Sequence, residues 1–127
     1  MTSPNPDYIL VVEDDKDLRE TLCDALTLEG YQIVWAENGE SALRHLSTGS
    51  RPCLILLDLM MPVMDGWTFH RELMKNPVLA TIPVVVMTAA TPARAAAVPA
   101  ESILYKPLQM DSVVAVVQER CPGGMSV

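Results

Sequence analysis

Short runs rich in valine, isoleucine and leucine recur along this chain at residues 8–12, 32–36, 54–57, 83–87 and 102–105, with stretches of helical character between them. That alternation is the feature that most restricts the fold. Strand and helix following one another in turn build a parallel sheet, because parallel neighbours need a crossover long enough to hold a helix. Residues 9–12, 54–57 and 84–87 are apolar at every position, which is the pattern of strands covered on both faces. They are predicted to be the central strands.

The intervening segments carry helix periodicity and end signals. A first helix is expected over about 16–29, with Leu18, Leu22, Ala25 and Leu26 on one face, Asp14 or Asp15 as cap and Gly30 at its stop. A second, over 39–47, buries Ala42, Leu43 and Leu46. A third, over 66–74, presents Trp67, Phe69 and Leu73, and a last one after Pro107 repeats apolar residues at Met110, Val113, Val114, Val117 and Cys121. Between residues 91 and 100 two prolines, Pro92 and Pro99, bracket an alanine-rich piece long enough for about two turns, with little to anchor it. That segment is expected to be mobile or partly irregular.

Length and charge narrow the function. A chain of 127 residues, half of them hydrophobic, has material for one core and not for two. A formal charge of −7 disfavours nucleic acid or an anionic membrane as a direct partner. Residues 1–7 lack the apolar stretch of a secretory signal, and the run from 53 to 64 is broken by Asp58 and Pro62, so a soluble, cytoplasmic protein is expected. Cys23, Cys53 and Cys121 are far apart and without metal-ligand spacing. They read as reduced core thiols.

In a sheet of this kind ligands bind beyond the carboxyl ends of the strands. Strand one ends there in Glu13-Asp14-Asp15, strand three in Asp58, strand four in Thr88 and strand five in Lys106-Pro107. Two carboxylates ~4 Å apart repel by about 4 kcal/mol at an effective dielectric of 20. A hard divalent cation with oxygen ligands, Mg2+ above all, relieves that repulsion. With Lys106 as a point charge and Thr88 as a hydroxyl donor, the set makes a phosphoryl site. Each residue also has a plainer reading: an aspartate caps a helix, a threonine favours a strand, and a lysine sits in solvent. Capping does not explain Asp58, whose place at the end of a buried strand is costly without a partner. His45 and His70 read as surface or partly buried helix residues, and the methionines as core filler.

These residues resemble the response-regulator receiver family over residues 8–121, with 1–7 and 122–127 as tails. The resemblance is carried by Ile9-Leu10-Val11-Val12-Glu13-Asp14-Asp15, by Leu56-Leu57-Asp58-Leu59-Met60-Met61-Pro62-Val63-Met64-Asp65-Gly66, by Pro83-Val84-Val85-Val86-Met87-Thr88-Ala89 and by Tyr105-Lys106-Pro107, in the family's order. It implies an α/β, doubly wound, five-stranded parallel sheet of flavodoxin-like order 2-1-3-4-5, with a shortened or irregular fourth helix. It implies that Asp58 accepts a phosphoryl group and that Mg2+, or Mn2+, is held by Asp14, Asp58, the Met60 backbone carbonyl and, through water, Glu13. Thr88 and Lys106 would contact the phosphoryl oxygens, and the Lys106–Pro107 bond would be cis. The implied function is a two-component signalling switch, not a conventional enzyme, that catalyses its own Mg2+-dependent phosphorylation and dephosphorylation. Its partners would be a histidine kinase or phosphotransfer protein and a downstream protein target, with the chain a monomer or weak homodimer.

Departures from the family's pattern keep a second reading open, a degenerate receiver that acts as a phosphorylation-independent interaction module. The interval from Thr88 to Lys106 is shorter than usual by roughly one helical turn. Ile103 stands where many members place an aromatic residue. No effector domain is expected after Cys121. Met60, two positions after Asp58, removes the Asp-x-Asp pattern of one class of phosphatase, and a flavin carrier has only fold analogy behind it.

Overall fold

A computed structural model describes residues 8–122. Five strands, β1 (Tyr8–Val12), β2 (Gln32–Ala36), β3 (Leu54–Asp58), β4 (Val84–Thr88) and β5 (Ser102–Tyr105), form one sheet of order β2-β1-β3-β4-β5 with every pairing parallel. The helices are α1 (Lys16–Leu28), α2 (Gly39–Leu46), α3 (Gly66–Met74), α4 (Pro92–Ala95) and α5 (Met110–Arg120), and a single 3-10 turn, Leu79–Thr81, precedes β4. The fold class and strand order expected from the sequence are those observed.

Alternation along the buried strands divides the core in two. Leu10, Val12, Ile55, Leu57, Val84 and Val86 meet Ala42 and Leu46 of α2 and Phe69 and Leu73 of α3. Ile9, Val11, Leu54, Leu56, Val85 and Met87 face the other way, onto Leu22 and Leu26 of α1 and Val113 and Val117 of α5. Because β1, β3 and β4 are buried along their whole length, a polar side chain on them escapes the apolar layers only at a strand end. Glu13, Asp58 and Thr88 lie at such ends, and all three are buried.

Side-chain caps set where each helix begins. Asp15, not Asp14, caps α1 by accepting from the Leu18 amide at 3.1 Å, which leaves Asp14 uncommitted. Asn38 and Asp65 do the same for α2 and α3, each at 2.8 Å. Gly30, at φ 97°, turns the chain out of α1 in the left-handed conformation expected at a helix stop.

Three expectations need correction. Cys53 and Cys121 are not reduced thiols: they form a disulfide with Cα atoms 6.0 Å apart, and only Cys23 is a free thiol. Sixty-eight residues separate them, so no local spacing betrays the pair, yet β3 starts and α5 ends at the same pole of the sheet. His70 is buried rather than superficial, and burial pulls its imidazole below the ordinary histidine pKa. Finally, α4 is one turn, not two, and it is anchored: Ala95 and Val98 are buried, the Trp67 indole N–H donates to the Arg94 carbonyl at 3.0 Å, and the Arg94 guanidinium lies 4.5 Å from the Trp67 ring.

Candidate functional site

The carboxyl ends of β1 and β3 are neighbours in the sheet, so the acidic turn after β1 and the last residue of β3 are brought together. Glu13, Asp14 and Asp58 each offer an oxygen within 4.8 Å of the others. Glu13 and Asp58 are buried while Asp14 is open to solvent. Lys106 closes the cluster from the end of β5, its ammonium 3.0 Å from Glu13 Oε1 and 3.3 Å from Asp58 Oδ2. Backbone geometry delivers it there: the Lys106 amide donates to the Thr88 carbonyl at 2.8 Å, and the Lys106–Pro107 bond is cis.

Two buried carboxyl groups and one exposed carboxylate beside a single cation leave the site unbalanced. Burial, then the nearby charge of Glu13, pushes the Asp58 carboxyl up to about 7, and Lys106 only partly offsets this. Burial draws the Lys106 ammonium down, but its close contact with Glu13 and the charge of Asp58 outweigh that and raise its pKa. Glu13 Oε1 is fully buried and, although the ammonium is close, takes no aligned hydrogen bond among the described residues. A buried carboxylate oxygen in that condition costs about 1–3 kcal/mol or more. Oxygen donors with surplus negative charge and one open edge at Asp14 fit a hard divalent ion such as Mg2+, which retains part of its water shell.

Met60 and Thr88 lie at or just beyond the carboxyl ends of the neighbouring strands β3 and β4. The Met60 amide donates to Asp58 Oδ1 at 3.2 Å, so the loop after β3 folds back over the carboxylate. Met60 itself is 48% exposed. Thr88 is buried, with Oγ1 accepting from the Ala90 amide at 2.9 Å, which fixes its hydroxyl to the loop leaving β4. Asp15 is spent on its cap and on an amide contact with Glu13 Oε2 at 3.1 Å.

Two features of the loop from β3 to α3 escaped the sequence reading. Val63 has φ 70°, and the Met64 amide donates to the Pro62 carbonyl at 2.8 Å. This is a γ-turn that a β-branched residue adopts at a cost of about 1–3 kcal/mol. Its result is that the Met64 carbonyl accepts from the Gly39 amide at 3.0 Å, tying the loop to the start of α2. Gly66 is the second: a Cβ there would lie 2.5 Å from the Asp58 carbonyl oxygen and 2.7 Å from Leu59 Cα. Both obstacles are backbone, so Gly66→Ala is expected to destabilise the fold by about 2 kcal/mol. A urea midpoint equal to that of the unmodified chain would contradict this close packing of α3 on the Asp58 strand end.

One residue beyond the predicted set also touches the site. Arg19 of α1 is buried and donates from Nη1 to the Glu13 carbonyl at 3.0 Å. Its only sequence signal was a charge at a position that falls on the inner face of an amphipathic helix.

With this geometry in view, comparison with known proteins is specific. Residues 9–118 match the family model described as response regulator receiver domain. The phosphate regulon transcriptional regulatory protein PhoB of Escherichia coli is 43% identical over 81 residues, 64% of this chain and 35% of that protein. The chain spans about a third of the length of the curated relatives it matches. Among solved structures, the signal receiver domain of a signal transduction histidine kinase from Syntrophus aciditrophicus superposes with a TM-score of 0.83 at 34% identity, covering 95% of this chain and 96% of that one. Response regulator TrrA of Thermotoga maritima, solved in complex with Mg2+-BeF, gives 0.77 at 31% identity, covering 90% and 98%. A family model that spans most of the chain, on a sheet of this order with its acidic cluster at the carboxyl ends, places this protein among the response regulator receiver domains.

Proposed function

We propose that this chain is a phosphorylation-dependent switch in two-component signalling, with Asp58 as the phosphoryl acceptor and a protein partner as its output. The observation that carries the reading is the arrangement around Asp58: a buried carboxylate with one oxygen on the Met60 amide, the other on Lys106, and two further acids close enough to share a cation. The reading also draws on TrrA, a relative solved with Mg2+-BeF.

Glu13, Asp14, Asp58 and the Met60 carbonyl would hold Mg2+ or Mn2+. When bound, the metal supplies charge neutralisation for the transferring phosphoryl oxygens. The chain's own residues do the rest. One Asp58 oxygen attacks the phosphorus of a phosphohistidine on a kinase or phosphotransfer protein; the P–N bond breaks and its electron pair stays on the imidazole. Lys106, already within reach of Asp58, turns from the carboxylate toward the incoming oxygens. Thr88 hydrogen-bonds the phosphoryl group and, by leaving the Ala90 amide, shifts the loop after β4. Attack of water on phosphorus then releases inorganic phosphate and restores the carboxylate. A phosphohistidine donor is the partner this reading requires; no helix among the described residues is long and apolar enough to cross a membrane.

The test is intact-mass measurement after incubation with acetyl phosphate and Mg2+. The unmodified chain is expected to gain one phosphoryl group, with no gain for Asp58→Asn or when the metal is chelated. A folded wild-type chain that stays unlabelled, yet binds its partner as Asp58→Ala does, would replace the switch with the interaction-module reading.

A further inference from the structure

Glu13 is gripped at its amide, its carbonyl and one carboxylate oxygen. Its amide donates to the Ala36 carbonyl of β2 at 3.0 Å, its Oε2 accepts from the Asp15 amide, and its carbonyl accepts from Arg19 Nη1 at 3.0 Å. The Arg19 guanidinium in turn lies 4.1 Å from the centre of the Trp35 ring. Trp35 is on β2, in register with Val11 and next to Ala36, so the amide contact and the platform under Arg19 come from adjacent residues of the edge strand. A planar cation that stacks on one face and still donates in its own plane is a task for which arginine suits and lysine does not.

The carbonyl of Glu13 belongs to the peptide bond that leads into Asp14. Fixing its direction fixes the plane from which Asp14 projects. Asp14 is exposed, and its side chain caps nothing in α1, since Asp15 does that. The buried arginine also sets a positive charge beside a cluster of surplus negative charge. We infer that Arg19, clamped by Trp35, is a positioning residue that holds the turn from Glu13 to Asp15 in the geometry required for divalent-metal binding. This rests on the metal site of the proposed function, but the grip itself exists without metal.

The full chain tests it in two measurements. Hydrogen exchange without metal reads the Glu13 and Asp15 amides: Arg19→Lys and Arg19→Met are each expected to speed them at least about tenfold, with β3 and β4 amides unchanged. Calorimetric titration with Mg2+ alone reads the site: affinity is expected to fall about tenfold in Arg19→Met, equivalent to about 1.4 kcal/mol, and nearly as far in Arg19→Lys. Trp35→Leu keeps the arginine and removes its platform, so it is expected to reproduce both effects more weakly. It also serves if an arginine variant fails to fold.

Unchanged amide exchange in all variants would overturn the proposal. So would an Arg19→Lys chain that binds Mg2+ as tightly as the unmodified one, because the role would then be charge alone. Lower melting temperatures with unaltered Mg2+ affinity would reduce Arg19 to a structural residue and overturn it as well. If the unmodified chain binds no Mg2+ while the local loosening occurs, the grip stands and the metal reading of the site fails.

Discussion

Breaking the Cys53–Cys121 disulfide is expected to lower the unfolding free energy by about 4 kcal/mol. The bridge spans 68 residues, and chain-entropy loss on closing a loop of that size amounts to roughly this figure at 25 °C. Native contacts at either end do not depend on it. The Cys53 amide donates to the Tyr8 carbonyl at 2.9 Å, the Cys121 amide to the Val117 carbonyl at 2.7 Å, and the Tyr31 hydroxyl donates to the Cys121 carbonyl. The folded state therefore survives reduction, and the effect acts on the unfolded chain. Against a typical total of about 5–15 kcal/mol, the loss is severe. Urea unfolding with and without a thiol reductant, alongside the Cys53→Ser, Cys121→Ser double variant, measures it. Coincident midpoints would show that the bridge contributes nothing.

A second large effect concerns pH. Without divalent ions, stability is expected to fall as pH rises from about 4 to about 7. The sign follows from Asp58, whose folded pKa of about 7 exceeds its ordinary value of 3.8. Between those values the folded chain holds a proton that the unfolded chain has released, so the stabilisation is complete below the lower value and gone above the upper one. At 1.36 kcal/mol per unit the swing is on the order of 4 kcal/mol. Lys106 does not counter it: its raised pKa contributes stability through neutral pH that disappears only at higher pH, as the ammonium deprotonates. Asp58→Asn is expected to flatten the profile and to be the more stable chain at pH 8. Excess Mg2+ is expected to restore the unmodified chain there. Thermal unfolding in a chelator at pH 4.5, 6 and 8 checks this; a level profile would mean that Asp58 is not strained by its neighbours.

The two effects differ in how readily the sequence announces them. The central strands and their order were legible because burial on both faces forces continuous apolar runs, and any acid that interrupts such a run stands out. Asp58 is visible for that reason, and Glu13, Asp14 and Lys106 because strand ends collect at one edge. The disulfide was not legible, since pairing depends on which strand start lies over which helix end. Arg19 was hidden because helix periodicity marks inward positions by apolar residues, and an arginine that buries its stem and satisfies its head looks like any surface charge. The single turn of α4 reflects tertiary control: alanine favours helix, but Arg94 on Trp67 and the burial of Ala95 and Val98 determine where it ends.

Disulfide and acidic cluster sit at opposite poles of the molecule. β3 runs from just after one to its last residue in the other, about 17 Å of extended chain. A disulfide and the two thiols it would yield are both uncharged near neutral pH, so oxidation or reduction at the base adds no charge to the acidic cluster at the other pole. Thiol chemistry is thus expected to govern how long the domain endures, and carboxylate chemistry the charge it presents at its opposite end.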